Sequence, residues 1–146
     1  LEVVEDRTTE AAMALWKSLP SEQRERVQAA SMDMGANFAA ATTQAAPKAK
    51  IVHDRFHVSK HLNDAVDKVR REEHRRLLAK GDESLKHTKF LWLQGAAVEG
   101  ERALAFAELC ERELKTAKAW AYKEMFVEFW QQPDAFAAQR FFEDWY

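Results

Sequence analysis

Cysteine is nearly absent: Cys110 is the single one among 146 residues. An intrachain disulfide is therefore excluded, and a lone thiol fits a reducing compartment. Long apolar runs are also missing. No stretch approaches the roughly 20 consecutive apolar residues that a membrane-spanning helix needs. Leu1 to Asp6 shows no basic segment followed by an apolar one, so no signal peptide is expected and a cytoplasmic location is. An initiator Met is lacking as well. "LEVVED" reads as interior sequence, so a piece of a longer protein is expected. Internal repeats and low-complexity segments are absent; the alanine-rich stretch 39–46 is simply helix-prone. Glycine and proline are scarce, at four and three, and fall where they punctuate the chain.

Large net charge is lacking too. The total of −2 demands no nucleic acid. The distribution is less neutral. Arg55, Lys60, Lys68, Arg70, Arg71, Arg75, Arg76 and Lys80 face only Asp64, Asp67, Glu72 and Glu73 over residues 55–80, a local excess of +4. A whole-chain charge conceals such a stripe.

What is present is alternation of element types. Leu1 to Val4 is β-prone but short. Thr8 or Thr9 can cap a helix that carries Met13, Trp16 and Leu19 on one side and stops at Pro20. "SEQRER" reads as a polar connection. Val27 to Asp33 is a strand candidate, followed by Gly35, an alanine-rich helix to about Ala46, and Pro47. Ala49 to Asp54 is a third strand candidate. Strand, helix and strand in under thirty residues is the minimum for a parallel β-α-β unit.

From Phe56 onward the pattern is helical. Val58, Leu62, Ala65 or Val66, and Val69 recur at spacings of three and four. Lys60, Lys68, Arg71 and Arg75 fall on the other side. Gly81-Asp82 ends that helix. "SLKHTKFLWLQ" predicts a short helix with Leu85, Phe90, Leu91 and Trp92 inward. A long helix is predicted from about Val98 towards Trp130, with Leu104, Ala107, Leu114, Ala117, Ala121, Met125 and Phe129 as core. Pro133 breaks it, and Asp134 opens another. The apolar "FFEDWY" at the end suggests a boundary cutting through a larger protein.

Four constellations carry possible chemistry. Asp33 and Asp54 each end a predicted strand, and parallel neighbours lie about 4.8 Å apart. Both carboxylates would open at the edge where open α/β sheets bind ligands. Two carboxylates repel unless a cation lies between them, and Mg²⁺ accepts one or two with waters and phosphate oxygens completing its shell. The plainer alternative is a pair of turn or capping residues. His53, His57 and His61 form the second set; 57 and 61 stand one helical turn apart, which suits a transition metal given further ligands such as Asp54. The third is the cationic face, a solvated surface or a DNA phosphate track. The fourth comprises Trp92, Trp120, Trp130 and Trp145, core residues or stacking platforms for an unpaired base.

"MDMGANF" (residues 32–38), followed about twenty residues on by "IVHDRFHVSKHLNDAVDKVRREE", resembles bacterial insertion-sequence transposases of the ISL-three family. The shared elements are Asp33-Met34 with an aromatic shortly after, Asp54-Arg55-Phe56-His57 at a strand end, and the basic helix pattern from Lys60 to Arg71. Phe38 stands where that family has Tyr. "LKHTKFLWLQ" and "AWAYKEMFVEFW" are similar, more loosely, to later elements of the same transposases.

The resemblance implies an α/β fold, mostly helical. Residues 1–80 would form part of a ribonuclease-H-like core with the basic helix, and residues 81–146 a helical insertion. It implies a DDE triad holding Mg²⁺ or Mn²⁺ for DNA cleavage and strand transfer, with Asp33 as the second acid and a metal ligand. Asp54 and His57 would be accessory groups beside it. Arg55, Lys60, Lys68 and Arg71 would be DNA contacts. Motifs for the first acid and the final Glu are not among these residues; Glu124 and Glu143 match none. The chain by itself is thus expected to be inactive. DNA, a homo-oligomer and a bacterial cytoplasm are implied, with no membrane partner. The alternative is a non-catalytic helical module that binds DNA or protein.

Overall fold

The computed structural model describes residues 3–146, residue 96 by its backbone alone. The chain is mostly helical, with one small parallel sheet. It divides into two compact units, Leu1–Lys60 and His61–Tyr146. The β-prone start lies partly outside the described residues; Val3 and Val4 belong to no strand.

In the first unit, α1 spans Thr9–Ser18. Thr8 is its cap: the side-chain oxygen accepts the Ala11 N–H at 3.1 Å, supplying a partner to an otherwise unpaired helix donor. Pro20 ends this segment as expected, but "SEQRE" is not a mere connection. Ser21–Glu25 forms the short helix α2, because Pro20 has no N–H to lose and leaves its carbonyl free to accept from Gln23 and Arg24.

The strand pair follows. β1 is Ala29–Met32 and β2 is Lys50–His53, joined through α3, Ala36–Ala45. They pair in parallel, with Ala29 opposite Lys50 and Met32 opposite His53. The expected β-α-β unit is therefore present. Alanines let α3 approach α1 closely: Ala12 and Ala41 are buried, and Trp16 Nε1 donates to Thr42 Oγ1 at 3.2 Å. Leu19, expected inside, is exposed, since it already lies beyond the helix end. An apolar hollow of about 270 Å³ remains against β1, lined by Leu15, Trp16, Met32 and Phe38 among others.

α4, Arg55–Leu78, begins directly after β2 and passes from the first unit into the second. In the second unit its inner positions are Val66 and, unusually, Glu73. The core around Val66 comprises Leu85, Leu91, Trp92, Phe106, Leu109, Leu114 and Ala117. Leu85 is wholly buried and Trp92 nearly so; each such burial contributes roughly 1.5–3 kcal/mol. Trp92, Phe106 and Trp120 meet edge to face, with centroids 5.0–6.3 Å apart. Leu85, Leu91 and Trp92 thus point inward as expected. Phe90 does not: α5, Lys89–Gln94, buries the two residues after it and leaves Phe90 exposed.

The expected helix from Val98 to Trp130 is in fact three elements. α6 is Glu101–Glu111, α7 is Lys115–Met125, and a 3-10 segment covers Phe126–Gln131. The break has a cause outside the segment. Glu73 Oε1 accepts the Lys115 N–H at 2.9 Å, and Oε2 accepts both the N–H and the hydroxyl of Thr116 at 2.7 Å. A carboxylate from α4 thereby caps α7. Burial pushes the Glu73 carboxyl up, but the donors of Thr116 and Lys115 and the charge of Arg76 outweigh it, and its pKa lies below the ordinary glutamate value. The break shifts the helical register. Leu104, Ala107, Ala121 and Met125 are exposed, while Leu114 and Ala117 are buried as expected.

Asp134 caps the final helix, α8, Ala135–Trp145, accepting the Ala137 N–H at 2.8 Å. α8 folds back so that Trp145 packs on Phe126 at 4.9 Å and donates Nε1–H to the Tyr122 carbonyl at 2.8 Å.

Candidate functional site

β1 and β2 end side by side, and each is followed at once by an aspartate. The Asp54 N–H donates to the Met32 carbonyl at 3.1 Å, so the ladder continues to the residue that bears the second acid. Asp33 and Asp54 therefore open from the same edge of the sheet, on strands about 4.8 Å apart.

Each acid is held by its own turn. Asp33 Oδ1 accepts the Gly35 N–H at 2.7 Å, and Asp54 Oδ1 accepts the Phe56 N–H at 2.9 Å. The first turn explains the glycine of "MDMGANF". A Cβ at position 35 would lie 2.9 Å from both Asp33 Oδ1 and the Phe38 ring, so a larger residue would displace the acid. Asp33 Oδ2 faces Arg7 Nη2 at 3.6 Å, a partner 26 residues upstream that no local pattern announced.

His57 is half-buried at the first turn of α4, its ring edge-on to Phe56 at 5.6 Å. Its backbone N–H donates to the Asp54 carbonyl at 3.0 Å. His53 is exposed at the end of β2, and His61 is exposed in the second unit. Among the described residues, no three His, Cys, Asp or Glu side chains are grouped to hold a metal. Two carboxylates at one edge fit a divalent ion in part: they offer acid oxygens but no third donor group.

The cationic candidates are not equivalent. Arg55 and Lys60 are exposed on the part of α4 that belongs to the first unit. Lys68 is exposed in the second unit. Arg71 Nε lies 3.3 Å from Asp67 Oδ2, so its charge is partly answered within the helix. Asp67 also binds Arg70 at 2.8 Å, and Arg70 donates to the Leu85 carbonyl. Arg70 is thus a structural cation. Trp92 belongs to the core, Trp120 packs half-buried against it, and Trp145 donates its indole N–H to the Tyr122 carbonyl.

A family model described as transposase, that of the ISL-three type, matches residues 1–146. The chain belongs to the ISL-three family of transposases. The match runs through both units, so the helical second unit is as much a part of this transposase sequence as the strand pair. The family is one of DNA-processing enzymes of insertion sequences, and its substrate is DNA. No curated protein and no solved structure matches the chain. None of the helices among the described residues is long and apolar enough to cross a membrane.

Proposed function

We propose that this transposase chain supplies Asp33 to a DDE-type site on a ribonuclease-H-like sheet, for metal-dependent DNA cleavage and strand transfer. The observation that carries the reading is the pairing of β1 with β2 in parallel, with an acid directly after each. Asp33 would hold Mg²⁺ or Mn²⁺, with Asp54 and His57 beside it as residues that set its surroundings. A divalent ion held there would supply Lewis-acid assistance to an attacking oxygen and to the leaving one. The chain's own part is to present the acid at a fixed angle through the Gly35 turn, and to offer cations to the phosphate backbone. Residues 1–80 would be core and 81–146 insertion. The bacterial cytoplasm is the setting that this reading implies.

Manganese titration followed by amide line broadening tests the metal role. The Gly35 and Phe56 amides should broaden in the wild-type chain and stay sharp in Asp33→Ala. No broadening in the wild type overturns the role. One acid pair cannot assemble a two-metal centre, so these 146 residues alone should not nick DNA; robust metal-dependent nicking would refute that part.

One observation favours a second reading. Both aspartates already serve as turn acceptors, as they would in a non-catalytic module that binds DNA or protein. Under that reading Asp33→Ala changes stability and leaves metal affinity untouched.

A further inference from the structure

The opposite end of the sheet carries a second charged feature. Arg26 closes α2, three residues before β1 begins. Lys48 lies in the turn that leads to β2, and Lys50 is its first residue. The Lys50 N–H donates to the Gln28 carbonyl at 2.9 Å, which draws the two strand starts together. The three cations thereby line one open groove of about 750 Å³, with Val27, Gln28 and a single anion, Glu25. All three are exposed. Among the described residues, no ion pair joins any of them to a carboxylate.

We propose that this groove binds the phosphate backbone of duplex DNA. A cleft with an excess of one sign of charge, here three cations against Glu25, concentrates ions of the other sign. Three long side chains spread over an open groove, without a buried donor, suit an extended polyanion better than one enclosed phosphate. The groove is also distinct from the aspartate edge: four residues of strand, about 13 Å, separate the two ends. Its cations come from the starts of the two strands and the segments before them, not from α4. The inference rests on the DNA reading above and adds a contact surface to it. A duplex seated here would lie across the strand starts, away from the acids.

The test is the salt dependence of binding to a short duplex. Each neutralised phosphate contributes about 0.9 to the slope of log K against log salt. Arg26→Gln, Lys48→Gln and Lys50→Gln together should lower that slope by about 2.7. A second measurement needs no variant: acetylation of Lys48 and Lys50 in the wild-type chain should fall when duplex is added. If the triple variant keeps the wild-type slope and both lysines remain fully reactive, the groove is not a DNA contact. If Lys68→Gln still lowers the slope in that case, DNA binding through α4 stands and only the groove fails. A wild-type chain that binds no duplex overturns both, and protection by an acidic polypeptide but not by duplex overturns the choice of partner.

Discussion

Glu73 and Thr116, 43 residues apart, are joined twice: one carboxylate oxygen accepts both the backbone N–H and the hydroxyl at 2.7 Å. This contact ties α4 to the start of α7 and fixes the elbow after α6. Glu73→Ala would leave the buried Thr116 N–H without a partner. Loss of a cap together with bonds to a charged acceptor predicts destabilisation of about 2–3 kcal/mol. Urea unfolding measures it, and Glu73→Gln, which keeps one acceptor oxygen, should lose less.

Three carboxyls shape the acid limb of the stability profile: Glu73, Asp82 and Glu83, the last lowered by its hydrogen bond from Lys86. Hydrogen bonds from Arg112 and the Ser84 N–H hold the Asp82 carboxyl down at about 2, against an ordinary 3.8. Glu73 is also lowered from 4.5. In all three cases the unfolded chain binds protons more readily than the folded one. Their contributions are therefore complete above the unfolded values and vanish as the pH falls through the folded ones. For Asp82 that window runs from 3.8 to about 2. Urea midpoints should decline as the pH falls through 4.5, the midpoint of Glu73 titration in the unfolded chain. Arg112→Ala should flatten the lowest part of the curve.

Gly95 adopts φ +53°, and a Cβ there would lie 2.8 Å from Trp120 Nε1 and 2.9 Å from Glu124 Oε1. Backbone strain and a clash with a packed indole add. Gly95→Ala should cost about 1–3 kcal/mol in thermal or urea unfolding. Gly81→Ala, with positive φ but open space around it, should cost less.

Much of this architecture was legible in the sequence, and the largest failure has a remote cause. The strand pair declared itself because each short apolar run ended on Asp beside a glycine or a helix start. The helix after Pro133 declared itself through Asp134. The elbow between α6 and α7 did not, because its cap comes from Glu73 on another helix. No window of sequence around Arg112 contains it. The expected core register ran straight through the elbow and placed Leu104 and Met125 inside. Asp33 could likewise be found from its strand, but Arg7 beside it could not. Arg71 is different: Asp67 stands one helical turn before it, an i,i+4 pair that the sequence itself offers.

Shared use of Asp67 leads to unequal DNA effects. Lys68→Gln should reduce the salt slope of duplex binding by about 1. Arg71→Gln should reduce it less, since Asp67 already answers part of that charge. Filter binding across a salt series distinguishes them; equal losses would contradict the shielding.

The outer edge of β1 predicts self-association. Gln28 and Met32 carbonyls bond towards β2, so by alternation Ala29 and Ser31 turn their backbone groups outward. Neither a charge nor a proline blocks that edge. Sedimentation should show concentration-dependent association, and Ser31→Pro should suppress it without disturbing the inner ladder. A monomer at all concentrations would count against the predicted oligomer.

Asp33 and Asp54 each commit one oxygen to a backbone N–H of their own loop. Asparagine has an oxygen of the same size in the same place. Replacing either acid by its amide should therefore keep the turn bond while deleting the charge, and at Asp33 it also gives up the contact to Arg7. The two positions are built so that form and electrostatics can be separated by a single isosteric atom exchange, and whatever these acids do through charge alone becomes measurable on an undistorted fold.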